Sequence, residues 1–292
     1  MPVLLAALSA LASAIGLIVQ RDSSRAAPAH VRGWDLVGYL VRRPLWLAGQ
    51  GAWVVAIGLQ ALALHVGRLS VVQPVLVSEL VFVLVIRAFV MHWPVRRAAW
   101  GSAALLFGSL SLFLVAAEPR GGHPLPTVSA WLWALIGTGG FAACMTWLGS
   151  RGSPVRRAAF CATAAATLGA LEASFLKTAT NTLTRDGVVA VFTDWPVYAL
   201  AVAGACSGVL VQTALRSGPL TVSQPLLAVV NPLVSVLLSV WLFGEHFTGD
   251  RATVAMGACA FLGVAAGVVL LTLTGPRRGG VVPTPGSPGP LG

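Results

Sequence analysis

The chain has 292 residues, a mean hydropathy of +0.84 and only 10% charged residues. A soluble domain of that length has too little interior to hide so much apolar surface, so the composition excludes a water-soluble globular protein and demands contact with lipid. The net charge of +10 does not point to nucleic acid, because the arginines lie mostly in short gaps between apolar runs, where they act as topology signals.

A membrane-spanning helix needs about 20 apolar residues. Nine stretches qualify: 2–20, 44–66, 69–91, 98–117, 128–149, 157–180, 195–214, 219–243 and 252–274. The expected fold is therefore an all-α polytopic bundle. The first span contains Ala12-Ser13-Ala14, which resembles a leader cleavage site. No Lys or Arg precedes the apolar run, so the positive flank of a leader is missing and 2–20 reads as a spanning helix. In the basic loop that follows, Val31, Trp34, Val37 and Val41 form one apolar face of a short interfacial helix. Gly67-Arg68, Pro94 to Arg97 and Gly152 to Pro154 break the runs into separate spans. Cys144, Cys161, Cys206 and Cys259 all fall inside apolar runs and read as small hydrophobes. Gly204-x-x-x-Gly208 and Gly263-x-x-x-Gly267 permit close helix contact. The tail 275–292 is Gly/Pro-rich without periodicity and is expected to be disordered.

Arginine placement sets the orientation. If 21–43 is cytoplasmic, nine alternating spans put Arg21, Arg25, Arg32, Arg42, Arg43, Arg96, Arg97, Arg151, Arg156, Arg157, Arg216, Arg277 and Arg278 inside. Arg68, Arg120, Lys177, Arg185 and Arg251 then fall outside. The positive-inside rule favours this arrangement, with the N-terminus out and the C-terminus in.

Residues 63–76 are nearly repeated as 214–227, with eight of fourteen aligned pairs identical and no gap. The first copy, from Ala63 through Gly67 and Leu69-Ser70 to Gln73-Pro74, runs from the second span into the third. The second, from Ala214 through Gly218 and Leu220-Thr221 to Gln224-Pro225, runs from the seventh into the eighth. With the orientation above, the two copies cross the bilayer in opposite directions. Such an inverted repeat is the architecture of alternating access. The expected division is 1–120 as the first half, 121–274 as the second, and 275–292 as a cytoplasmic tail.

The repeated helix, Gly turn and Leu-Ser/Thr-Val-x-Gln-Pro opening, together with Asn231-Pro232-Leu233-Val234 and the end Leu242-Phe243-Gly244-Glu245, resemble the drug/metabolite transporter superfamily of EamA-like proteins. Nine spans, with a basic loop before the second, are similar to its NIPA-type magnesium-transporter branch. The resemblance covers roughly residues 2–274. It implies an inverted-repeat transporter of the bacterial inner membrane, and it favours Lys177, since a Lys in this span recurs in related transporters. The first half departs from the pattern: Val81 stands opposite Pro232, and Trp93 stands at the "G-E" end.

Ionisable groups inside spans are costly and usually face a cavity or a partner. Glu79 lies mid-span and reads either as a cation or proton carrier or as a structural partner of Arg87 or another polar group. Glu172 lies deep in the sixth span. Lys177 reads either as a partner of Glu172 or Glu79, released when substrate arrives, or as a side chain snorkelling to the outer headgroups. Gln73 and Gln224 precede prolines at equivalent repeat positions, where Pro74 and Pro225 sit close to the helix starts and cost little. Asn231-Pro232 falls mid-helix and is expected to kink it and expose backbone to a cavity.

No phosphate-binding loop, H-E-x-x-H or G-x-S-x-G occurs, so the reading is not that of an enzyme, and it calls for no cofactor and no metal site. The expected function is a secondary transporter of a small solute, with a proton as candidate coupling ion. Its cavity would lie between the first, third, sixth and eighth spans, with Glu79, Glu172, Lys177, Asn231, Gln73 and Gln224 as site residues. A divalent-cation transporter ranks second, because two acids flanked by an Arg and a Lys make a poor magnesium site. A non-transporting scaffold or complex subunit is the alternative of another class. The expected partners are the bilayer and a small-molecule or ion substrate, not nucleic acid, and the reading allows a homodimer.

Overall fold

The computed structural model describes the chain except for residues 26–41, 93–94, 117–118, 123–124, 219, 248–250 and 275–292. The expectations for the interfacial helix and for the tail fall outside the described residues. Within them the protein is an all-α membrane protein, with nine helical spans long and apolar enough to cross a bilayer.

In chain order the helices are α1 (Pro2–Arg25), α2 (Pro44–Val66), α3 (Leu69–Leu76), α4 (Glu79–Val85), α5 (Arg97–Ala116), α6 (Val128–Ser150), α7 (Pro154–Thr193), α8 (Pro196–Ser217), α9 (Leu220–Phe243) and α10 (Arg251–Thr274). A π-helical turn, Ile86–Val90, extends α4. Two short strands, β1 (Pro119–Gly121) and β2 (Glu245–Phe247), pair antiparallel with Arg120 opposite His246.

Helix α7 is the axis of the bundle and packs against α6, α8 and α9. Its buried face is made of small residues, including Ala158, Ala162, Ala165, Ala166, Ala170 and Ser174. Small side chains let helix backbones approach where lipid gives no hydrophobic drive to association. Large apolar side chains such as Val54, Phe107, Trp133 and Leu262 instead face outward. Two further pairs, α1 with α2 and α5 with α10, complete the packing. A Cβ on Gly267 would lie 2.7 Å from the Leu106 backbone, so this glycine sets the α5–α10 spacing.

Contacts sort the connectors between the two ends of α7. At one end, the His65 ring nitrogen lies 3.3 Å from the Asn181 amide oxygen, and β1 pairs with β2. At the other, a Cβ on Gly218 would lie 2.8 Å from Ala158 and 3.2 Å from the Pro154 carbonyl. At a rise of about 1.5 Å per residue, Ala158 and Asn181 are roughly 35 Å apart along α7. We call these the ribbon end and the arginine end. The latter gathers Arg96, Arg97, Arg151, Arg156 and Arg157, at the starts of α5 and α7 and the end of α6. Gly67 and Gly218 both have extended backbone (φ −130° and −158°), so close approach and not left-handed geometry selects glycine there.

Two expectations change. The third span is not one helix. Pro74 has no amide to donate to Ser70, the chain tightens to three-residue steps (Val77 N to Pro74 O, 3.2 Å; Ser78 N to Val75 O, 3.0 Å), and α4 starts afresh at Glu79. Conversely, Pro225 and Pro232 lie inside an unbroken α9. A proline forfeits one hydrogen bond, and packing on neighbouring helices can hold the helix together across that gap. The sixth span is longer than 157–180: Ser153 caps α7 by accepting from the Arg156 amide, Pro154 fits the first turn, and helical geometry persists until Gly187, where φ is +86°.

Candidate functional site

The most heavily bonded polar group in the bundle lies at the ribbon end. Gly244, with φ +64°, turns the chain out of α9 and delivers Glu245 into the protein, where it is 2% exposed. Its Oε2 accepts from the Ser70 hydroxyl at 2.6 Å and the Ser70 amide at 3.4 Å. Its Oε1 accepts from the Leu69 amide at 3.2 Å and the Lys177 ammonium at 2.8 Å. A carboxylate just past the end of α9 therefore caps α3, the helix opened by the first sequence copy. The orphan amides of α3 and its N-terminal partial charge both favour an anion there. Lys177 Nζ also lies 4.5 Å from the centre of the Phe243 ring.

Burial alone would raise the Glu245 carboxyl pKa. The charge and hydrogen bond of Lys177, followed by the two bonds from Ser70, outweigh burial and hold it below its ordinary value of 4.5. Two donors beside this network have no acceptor among the described residues: Nη1 of Arg68, the residue just before α3, and Nε2 of Gln73, one turn further into α3 from Ser70. Gln73 is 5% exposed. Arg68 is close enough to Lys177 for the two charges to repel. An aromatic cluster stiffens the same end. Trp131 stacks on Phe175 at 4.5 Å, and Trp195 meets both edge-on at 5.4 and 5.6 Å.

Deeper in the membrane the polar residues form two separate groups. Glu79 stands at the start of α4, directly after the helix break, and its carboxyl is in reach of the Ser13 hydroxyl of α1. Asn231 of α9 packs on Gly169 of α7, where an added Cβ would fall 2.8 Å from its Nδ2, and its Oδ1 accepts from Ser235 at 3.3 Å. Glu172, one turn along α7 from Gly169, lies against Gly204 of α8. Ser207 of α8 donates to the Ala165 carbonyl of α7 at 3.1 Å.

Of the six expected site residues, Glu172 and Asn231 thus lie on the α7 interfaces with α8 and α9, Glu79 lies on the α1–α4 interface, and Gln73 lies buried one turn along α3 from Ser70. Gln224 is exposed. Lys177 corrects the sequence reading. It pairs with neither Glu172 nor Glu79, since five residues turn Glu172 about 140° away around α7. Nor does it snorkel, being only 7% exposed. In the sequence Glu245 reads only as the end of a family-like motif, Arg68 as a breaker and topology signal, and Ser70 as a repeat position, none of them as a site residue. The available signal was an acid two residues beyond an apolar run in a chain with few acids. A groove of about 570 Å³ between α6, α7 and α8, lined by Ala142, Thr146, Trp147 and Leu168 among others, takes in none of the six.

No family model matches the chain, and no solved structure matches it. It is similar to an uncharacterized protein of Corynebacterium glutamicum, with 28% identity over 274 residues, 91% of this chain and 94% of that one. The likeness therefore runs through nearly the whole bundle, and the relative's name carries no activity.

Proposed function

We propose that the protein is a secondary transporter of the bacterial inner membrane, moving a small solute by alternating access between two inverted halves. The observation that carries this reading is the position of the two sequence copies. The copy around Gly67 meets the ribbon end of α7, and the copy around Gly218 meets its arginine end. One sequence pattern laid at opposite ends of a single helix is the relation expected of an inverted-topology repeat. The paired packing of α1 with α2 and of α7 with α8 agrees with it.

The helix break before Glu79 supports the same reading. Discontinuous spans free backbone groups within the membrane, and transporters place coupling-ion and substrate sites at such breaks. Glu79 and Glu172 are the candidate proton-carrying groups. The arginine end faces the cytoplasm by the positive-inside rule, which puts the ribbon end outside. The sequence resemblance to EamA-like transporters points the same way.

The test is uptake into liposomes containing the purified chain, with and without an inward proton gradient, for wild type, Glu79→Gln and Glu172→Gln. Gradient-driven uptake that disappears in at least one variant is the expected result. Uptake that responds to neither acid removes the coupling role. Absence of uptake across amines, amino acids, sugars, organic anions and divalent cations removes the transporter reading.

A further inference from the structure

Among the described residues, the network around Glu245 is short of one acceptor. Among the described residues its charged members are Lys177 and Glu245, with Arg68 close by. Its unsatisfied groups are both donors, Nη1 of Arg68 and Nε2 of Gln73. Buried donors without acceptors are costly, and a single incoming oxyanion would satisfy both. Glu245 already displays the mode of binding: its carboxylate takes two amides and a hydroxyl from the α3 N-terminus plus an ammonium.

We propose that the ribbon end is a binding site for a small organic carboxylate, in which Glu245 is the resident occupant and the solute's carboxylate displaces it. The side chain that must move sits just after Gly244, in a segment attached to α9 by a turn and not by helix. The incoming anion inherits Lys177, Ser70 and the Leu69 amide, with Arg68 and Gln73 as donors that Glu245 does not use. This deepens the transporter reading and rests on it for the word solute, but the binding itself does not require transport. It also makes the loaded state open at this end, because α9 and α3 lose their shared carboxylate when Glu245 leaves.

The test is acetate binding to the full chain in nanodiscs of phosphatidylcholine, followed by tryptophan fluorescence. Trp131 and Trp195 flank Phe175, two residues from Lys177, and report on this end. Saturable binding by wild type is expected, with Glu245→Ala binding acetate about tenfold more tightly because the competing occupant is gone. Arg68→Gln and Gln73→Leu, which leave the four bonds to Glu245 in place, are expected to weaken wild-type binding severalfold. Inorganic phosphate and phosphatidylglycerol nanodiscs form parallel arms. If phosphate saturates the signal and acetate does not, or phosphatidylglycerol alone abolishes acetate binding, the carboxylate assignment is wrong. No saturable response in wild type, or equal affinity in Arg68→Gln, Gln73→Leu and wild type, overturns the site. Binding without uptake refutes the transporter and leaves the site standing. Uptake without binding refutes the site alone.

Discussion

Breaking the Lys177–Glu245 pair from either side is expected to give unequal losses, and the structure sets the order. In Lys177→Met, Glu245 keeps its three bonds to α3 at 2.6, 3.2 and 3.4 Å. In Glu245→Gln, Lys177 loses the carboxylate charge 2.8 Å away, keeps a ring face at 4.5 Å, and is left beside Arg68. Leaving one member of a buried pair uncompensated costs about 3–5 kcal/mol. Glu245→Gln is placed at the upper end of that range, and Lys177→Met lower, at about 1–3 kcal/mol, the cost of a lost charge-assisted bond. In the double variant neither charge remains, so its loss is expected to fall about 1–3 kcal/mol short of the sum of the single losses. The assay is reversible unfolding in mixed micelles at neutral pH, followed by tryptophan fluorescence, for wild type, both single variants and the double. Strict additivity would show that the 2.8 Å contact carries no coupling. A larger loss in Lys177→Met than in Glu245→Gln would show that the helix amides do not hold the carboxylate.

The same network fixes a pH dependence. A carboxyl held below its ordinary value of 4.5 binds fewer protons folded than unfolded, so its contribution is full above the ordinary range and is lost as pH falls through the folded value. Unfolding curves from pH 7 to pH 3 should show an acid limb below about 4.5 that Glu245→Gln lacks; an identical limb in both refutes the assignment. Gly267→Ala puts a methyl 2.7 Å from the Leu106 Cα, and overpacking of this kind costs about 1–3 kcal/mol, so a stability within error of wild type would mean that α5 and α10 are not held at this spacing. In a cysteine-free background, Val66→Cys should react with an impermeant maleimide on intact cells and Ser217→Cys only after permeabilisation. Labelling of both from one side would remove the inverted repeat.

The spans were legible because each is an apolar run of bilayer length between breakers, and composition alone decides that. The Gln-Pro dipeptides were not legible in the same way. Pro74 and Pro225 occupy equivalent sequence positions, yet only the first is followed by a helix break. A proline lowers the cost of a break without requiring one, and the neighbours that decide it are distant in sequence. The Lys177 contact was hidden for a related reason. Periodicity along α7 shows that Lys177 and Glu172 diverge, but it cannot show which helix end arrives opposite Lys177, and that partner is 68 residues away. The resemblance of the "G-E" end to a family pattern marked Glu245 as part of a terminus, whereas its chemistry belongs to the start of α3.

On the proposed transporter reading, the two sequence copies are unequal where it would matter for alternating access. Carrying the register of the repeat forward places Pro94 opposite Glu245, Val230 opposite Glu79 and Leu80 opposite Asn231. Among the described residues a carboxylate caps the facing helix at the ribbon end alone, which gives that end this latch. In a symmetric inverted repeat the two closed states have equal energy, whereas a latch on one side biases the resting protein towards closure there. Removing the latch should therefore expose the interior from the ribbon end and not from the arginine end. Gln73→Cys, at a position 5% exposed, reports this through its reaction rate with an impermeant maleimide. If the latch contributes about 1.4 kcal/mol to the difference between the states, Glu245→Gln raises that rate about tenfold. Acceleration by a proline-to-alanine change at Pro94, with none from Glu245→Gln, would place the bias at the other end and refute the argument.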